Sequence, residues 1–473
     1  MKIVLVIFVT LTAHIGLAQT NDSVSARIIL VGDAGALVNG THPVVSAIKN
    51  YMHPDKKTTI VYLGDNLYKI GLPDEAHVNY VLSRSVLDSQ MAVAENTPAR
   101  VYFIPGNHDW ENGGTFGWDA LLRQEAYINS MSEKNVHFIP SEGCPGPVEV
   151  PLSDEATMIV FDSQWWLHRH VKPGVDWDCE CKTESEFTIA LSEMLRKNYN
   201  KLVILACHHP FMSNGIHGGY FGLKQHVFPL TDWRKKLYIP LPVIGSIYPI
   251  SRSVFGSHQD MNYPAYQNMI DQVQKVAKDH PHLIYATGHD HSLQLLKDTL
   301  HHYIVSGSGC QTSRVEDSRR SIFTRDSMGY AVVEVSKNKH VRVKFYVVDH
   351  TTAVPREAFS DMIIDFSKLP PLAPDTVTQD IPKYEDFYTA PASNQYKKAS
   401  RLKRAILGNN YREVWSQPVK LKVFRLNEEH GGFKIESMGG GKQTKTLTLV
   451  DKQVKKWALR TIDKDPEAAV PEN

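Results

Sequence analysis

Thr58-Thr59-Ile60-Val61-Tyr62-Leu63-Gly64-Asp65-Asn66-Leu67-Tyr68 is the stretch on which the fold turns. Its first six residues are β-branched, aromatic or aliphatic in succession, as in a strand covered on both faces. The run breaks at Gly64, and a carboxylate, a carboxamide and a phenol follow within four residues. The same unit recurs on either side. Residues 27–31 lead into Gly32-Asp33-Ala34-Gly35, and residues 101–104 into Gly106-Asn107-His108-Asp109. Residues 202–206 lead into His208-His209-Pro210, and residues 283–286 into Gly288-His289-Asp290-His291. Residues 158–161 and 303–305 are two further apolar runs.

Between these runs lie stretches of helical periodicity around 43–52, 75–92, 118–130, 185–198 and 265–279. The alternation predicts an α/β layered domain around a central sheet. Residues 331–335 and 341–348 predict a closing antiparallel hairpin around Lys337-Asn338-Lys339. Residues 211–263 break the rhythm with Gly, Pro and aromatics. They read as a lid or binding loop, or else as a packed surface excursion.

Composition narrows the class. Of 473 residues, 42% are hydrophobic and 22% charged, which excludes a disordered chain and a fibrous rod. A net charge of +1 supplies no field toward polyanions, so no nucleic-acid partner is expected. Histidine is abundant, at 22 residues, which raises the question of metal binding.

The five polar clusters answer that question. In open α/β sheets, ligands bind beyond the carboxyl ends of the strands, so clusters at five such ends can share one crevice. Asp, Asn, His and Tyr are oxygen and nitrogen donors, suited to iron, zinc or manganese. Two ions about 3.5–4 Å apart need a bridging carboxylate and several terminal ligands. Glycine ahead of four of the five clusters allows close backbone approach.

These motifs, in this order, resemble the calcineurin-like metallophosphoesterase superfamily over about residues 27–350. Most of that superfamily has His two residues after the first Asp; here that place is Gly35, and Tyr68 follows Asp65 by three. This paired change resembles the purple acid phosphatases. The motifs around it, with Ser292-Leu293-Gln294 and Ser306-Gly307-Ser308-Gly309, resemble the tartrate-resistant acid phosphatase type. The resemblance implies an α+β four-layer β-sandwich flanked by helices. It also implies two metal ions, Fe(3+) plus Fe(2+), Zn(2+) or Mn(2+). Asp33, Asp65, Tyr68 and His291 would hold the ferric ion, with Asp65 bridging. Asn107, His208 and His289 would complete the second site. His108 would bind phosphate and protonate the leaving alkoxide, supported by Asp109, and His217 would be a second substrate-facing histidine. Cys207 and His209 stand where small relatives usually have Gly and often Tyr.

The function so implied is an exported phosphatase that hydrolyses phosphate monoesters, with hydroxide from a metal-held water as nucleophile and His108 as general acid. The alternatives are a phosphodiesterase or nucleotide hydrolase on the same site, a non-catalytic head domain attached to the envelope, and a dinuclear redox activity. Residues 1–18 read as a secretory signal, from Lys2, the apolar 3–11 and Gly16-Leu17-Ala18. The apolar run is too short to span a bilayer. A periplasmic, outer-envelope or extracellular destination follows, where disulfides persist. Of five cysteines, Cys144 is expected to pair with Cys179 or Cys181.

The domain reading is a signal peptide at 1–18, a catalytic domain at 26–350, a Pro-rich linker at 351–395 and a basic, β-rich segment at 396–473. From Tyr396 to Arg425 there are nine basic residues and one acid. That stretch reads as a membrane- or envelope-binding face, or as a solvated surface. It resembles segments that follow such domains in larger bacterial envelope proteins.

Overall fold

A computed structural model describes residues 23–368, apart from 132–134, 232–235, 242–243, 248, 250–251 and 253–256, and beyond them the backbone of six short strands. The first sheet is built from β1 (Val24–Val31), β2 (Thr58–Tyr62), β3 (Arg100–Phe103) and β4 (Val136–Phe138), all parallel. The second contains β5 (Val148–Pro151), β6 (Ala156–Val160), β7 (Leu202–Ala206), β8 (Leu283–Thr287), β9 (Leu293–Lys297), β10 (His302–Ser306) and β11 (Ser321–Arg325). The chain then returns to the first sheet with β12 (Gly329–Ser336), β13 (His340–Val348) and β14 (Pro355–Asp365), antiparallel to one another. Strand orders are β14-β13-β12-β1-β2-β3-β4 and β11-β9-β10-β8-β7-β6-β5.

Helices α1 (Pro43–Tyr51), α2 (Tyr80–Met91) and α3 (Gly117–Met131) cover the first sheet. Helices α4 (Ser163–Leu167), α5 (Glu184–Lys197) and, after the short α6 (Leu223–Val227), α7 (Pro264–Ala277) cover the second. Alternate residues of each central strand therefore meet different apolar layers. In β1, Ile28 and Leu30 point into the core between the sheets, against Ile204, Ala206 and Ile304, while Ile29 and Val31 meet Val44, Ile48 and Leu87. Double coverage is why these strands lack polar alternation. The single central sheet expected from the alternation is thus two sheets, in the four layers that the family resemblance implies.

Other expectations change as well. The linker at 351–395 begins too early. Residues 355–365 are β14, paired with β13 along its length, and Phe366 is 1% exposed in the inter-sheet core. Within the rest of that range, β15 (Glu385–Thr389) joins β18 (Val419–Arg425), β19 (Gly432–Met438) and β20 (Thr446–Val450) in a four-stranded sheet. Strands β16 (Gln395–Lys397) and β17 (Glu413–Trp415) pair separately. The signal segment 1–18 and the side chains of the basic stretch lie outside the described residues. The hairpin forms with Val335 opposite Val341. Cys144 pairs with Cys179 rather than Cys181, which is buried nearby in sequence. Among the described residues, no helix is long and apolar enough to cross a membrane.

Candidate metal centre

The parallel strands of both sheets end on one side, and the polar clusters lie beyond those ends. The first sheet contributes Asp33, Asp65, Tyr68, Asn107 and His108; the second contributes His208, His289 and His291. Hydrogen bonds join the two groups: the Gly32 N–H donates to the Ser306 carbonyl at 2.7 Å, and the His289 N–H to the Asp33 carboxylate at Oδ2, also at 2.7 Å. The sheets come this close because Gly32 has no side chain; a Cβ there would lie 2.9 Å from Gly288 Cα. Asp33, Asp65 and His289 all adopt left-handed backbone, with φ of 58°, 52° and 68°. Such conformations are sparse for non-glycine residues and concentrate at functional sites.

Three side chains gather at one end of the cluster. Tyr68 Oη donates to Asp33 Oδ1 at 2.9 Å and lies 3.3 Å from His291 Nε2. His291 Nε2 is 3.4 Å from Asp33 Oδ1 and 3.1 Å from Gln311 Nε2. Burial, and then the Asp33 and Asp65 charges, push the Tyr68 phenol well above its ordinary range. A cation would be needed to draw a phenolate there. Gly35 explains how Tyr68 reaches the cluster. A Cβ at Gly35 would lie 2.6 Å from the Asp65 carbonyl and 2.8 Å from the Tyr68 nitrogen, so the loop after β2 closes over a position that tolerates no side chain.

At the other end, Asn107 Oδ1, His208 Nε2 and His289 Nδ1 lie 3.0–3.1 Å apart. Each histidine's other nitrogen faces a backbone carbonyl: His208 Nδ1 donates to Leu63 at 2.8 Å and His289 Nε2 to Gln259 at 2.8 Å. Those bonds fix the tautomers. In neutral rings, three lone pairs would converge on one point, which a cation would relieve. Burial works against charge on His208, yet Asp65 and Asp33 outweigh it and raise it to about 9. The cluster thus favours positive charge where an ion would sit.

Asp65 lies between the two ends. Its Oδ1 accepts from the His108 backbone at 2.8 Å and is 3.4 Å from His208 Nε2. Ligand atoms of Asp33, Asp65 and His208 all lie within 4.8 Å of one another. The donor set is oxygen-rich around Asp33 and Tyr68 and nitrogen-rich around His208 and His289, so these residues fit two ions of differing hardness. His209 is also near His208 and His289, but both of its ring nitrogens are engaged, by Ser163 Oγ at 2.8 Å and Gln259 Oε1 at 2.7 Å. Cys207 is buried, and burial pushes its thiol far up, which makes it inert.

His108 is a partly exposed neighbour of the centre rather than a member. Its Nδ1 donates to the Lys69 carbonyl at 2.6 Å, and its Nε2 is 4.0 Å from Asp65 Oδ2. Asp109 supports it only indirectly. Its buried carboxylate does not contact His108 but accepts from the backbone of Gly106, Asn66 and Leu67 and from Gln124, tying the loops after β2 and β3 together. Burial and the Asp65 charge, opposed by those donors, raise it to about 6. His217 stands over the second cluster, its ring centroid 4.1 Å from that of His289, and donates through Nδ1 to Asp260 Oδ1 at 2.9 Å. Burial would raise Asp260, but His217 and Arg252 outweigh it and bring it to about 2.

Sequence reasoning missed Gln259, Asp260 and Arg252, which enter from the far end of loop 211–263, and Asp290, which accepts from Ser213 and from His217 N–H. Asp290 sat inside a quoted motif and could have been found; the loop residues follow no motif. Both ends of the excursion therefore reach the centre.

The family model for calcineurin-like phosphoesterases matches residues 26–293. Among curated proteins, no sequence relative matches. Of solved structures, a Plasmodium protein described as GAP50, the anchor in the inner membrane complex, is similar at 16% identity and a TM-score of 0.45, covering 72% of this chain and 90% of that one. The purple acid phosphatase PPD1 from yellow lupin seeds is similar at 12% identity and a TM-score of 0.43, covering 73% and 56%. A Staphylococcus aureus protein assigned by description as a 5'-nucleotidase is similar at 13% identity and a TM-score of 0.35, covering 80% and 62%. These distant likenesses carry no inference about substrate.

Proposed function

The chain belongs to the calcineurin-like phosphoesterase family, whose members bind two metal ions, and from that premise we propose that it is an exported acid phosphatase of the purple type, acting on phosphate monoesters. The observation that carries this reading is the joint arrangement of Gly35 and Tyr68. The loop after β2 fills the place of a second-position side chain and sets a phenol 2.9 Å from Asp33 and 3.3 Å from His291. A phenolate and two carboxylates favour a hard trivalent ion, Fe(3+), at that end. Asn107, His208 and His289 suit Fe(2+), Zn(2+) or Mn(2+) at the other.

When bound, such ions supply Lewis-acid charge and a water of lowered pKa. The chain's own residues do the rest. His108, held through Nδ1 by the Lys69 carbonyl, presents Nε2 toward the centre and protonates the departing oxygen. His217, anchored by Asp260, faces the substrate from the opposite loop. Export is supported by the segment at 1–18 and agrees with the Cys144–Cys179 disulfide.

The test is hydrolysis of an aryl phosphate monoester beside its bis-aryl diester by metal-replete protein, from about pH 4 to 9, where histidine and metal-held water titrate. A dominant monoester rate with an acid optimum is expected. A dominant diester rate would keep the centre and overturn the substrate assignment.

A further inference from the structure

Asn107 can offer an ion only its carbonyl oxygen, since an amide nitrogen is a donor without a lone pair to give. Something must therefore hold the amide in the right one of two nearly isosteric orientations. In this structure Asn107 Nδ2 donates to Asn112 Oδ1 at 3.0 Å, and Asn107 Oδ1 is left facing His208 and His289. Asn112 reaches that place through an unusual backbone. Glu111, Asn112 and Gly113 are three consecutive left-handed residues, with φ of 54°, 53° and 75°. The turn is tied from behind by Glu111 Oε2, which accepts from the Phe116 nitrogen at 2.8 Å. Asparagine tolerates this conformation better than most residues and also carries the acceptor.

We propose that Asn112 is a positioning residue for the second metal site, fixing the Asn107 amide so that its oxygen joins His208 and His289. Partners that orient a ligand in this way typically change metal affinity 10–100-fold when removed. The inference rests on the two-ion reading of the centre, and its test counts ions rather than turnover.

Asn112→Gly removes the acceptor while keeping the left-handed turn accessible, and Asn112→Asp keeps an acceptor oxygen in place. Metal-free wild type and both variants are loaded with Fe(3+) and then titrated with Zn(2+) by calorimetry, ions are counted after dialysis, and metal-free melting temperatures are compared. The expected result is two ions in wild type, a roughly 10–100-fold weaker second ion in Asn112→Gly with unchanged metal-free melting, and recovery in Asn112→Asp. Equal affinity for both ions in Asn112→Gly and wild type would overturn the proposal and leave the two-ion reading standing. Weakening of Asn112→Asp to the same degree as Asn112→Gly would also overturn it, since the acceptor would not be what matters. Fewer than two ions in wild type would overturn the two-ion reading itself.

Discussion

At the scale of single residues, the proposed function divides the centre between side chains that hold ions and a side chain that transfers a proton. Among the described residues the His108 ring makes no hydrogen bond to a candidate ligand side chain, although its backbone N–H donates to Asp65 Oδ1 at 2.8 Å. It is fixed by one carbonyl and keeps its Nε2 4.0 Å from Asp65. Replacing it should spare metal binding and remove a proton donor. His108→Ala is expected to retain two ions by elemental analysis while kcat for a monoester with a poor leaving group falls about 10²–10⁴-fold. A rate within a factor of a few of wild type would assign the proton elsewhere. The candidate ligands were legible in the sequence because each sits two to five residues past an apolar run, a purely local signal. Asn112, Gln259 and the Lys69 carbonyl were not. Their roles come from tertiary approach, and a backbone carbonyl leaves no trace in residue type at all.

At the scale of elements, most strands that could be read were covered on both faces, where burial forces an unbroken apolar run, while β13, whose burial alternates, was read as half of a hairpin. Strand β14 escaped because it is a half-exposed edge strand in which charged and polar residues interleave with Phe359, Ile363 and Ile364. It nonetheless closes the sandwich. Phe359 packs on Phe323 and Phe345, with centroids 5.2 and 6.2 Å away, and Phe366 stacks on His282 at 5.1 Å. Phe366→Ala should cost about 3–5 kcal/mol in urea unfolding, as for other large-to-small changes in a core. A loss below about 1 kcal/mol would show that the sandwich is complete without this end. Loop 211–263 was legible as an interruption and, through His217, as a candidate binding loop, but Arg252, Gln259 and Asp260 near its far end carry no motif.

At the scale of the whole molecule, buried histidines remote from the chemistry contribute a sensitivity to acid. Burial lowers His42, His168, His280, His282 and His302 each to about 4. Each binds its proton more weakly folded than unfolded, where the ordinary value is about 6.5. Their neutral forms cost nothing above that value. As pH falls from about 6.5 toward 4, the unfolded state takes up protons first and stability drains away. For a residue as enclosed as His42 the loss approaches about 3 kcal/mol. Glu125 and Asp162, which burial raises to about 7, act in the opposite direction over the same range, so the histidine effect is read as a difference: between pH 6.5 and 4.5 wild type should lose more urea stability than His42→Gln, and equal slopes would place that ring in solvent. Bound ions act in the opposite direction. Chelation should lower the melting temperature by several degrees, because an ion that binds only the folded state stabilises it by mass action.

The candidate ligands run from Asp33 to His291 and are drawn from the ends of both sheets. No fragment that lacks either sheet can gather a full set around both ions. The centre is thus among the last things the chain can assemble, after the two sheets have met. If the chain crosses a membrane unfolded, its ions have to be acquired on the far side, from whatever metal that compartment supplies. The metal content of purified protein would then record where it finished folding as much as what its residues prefer.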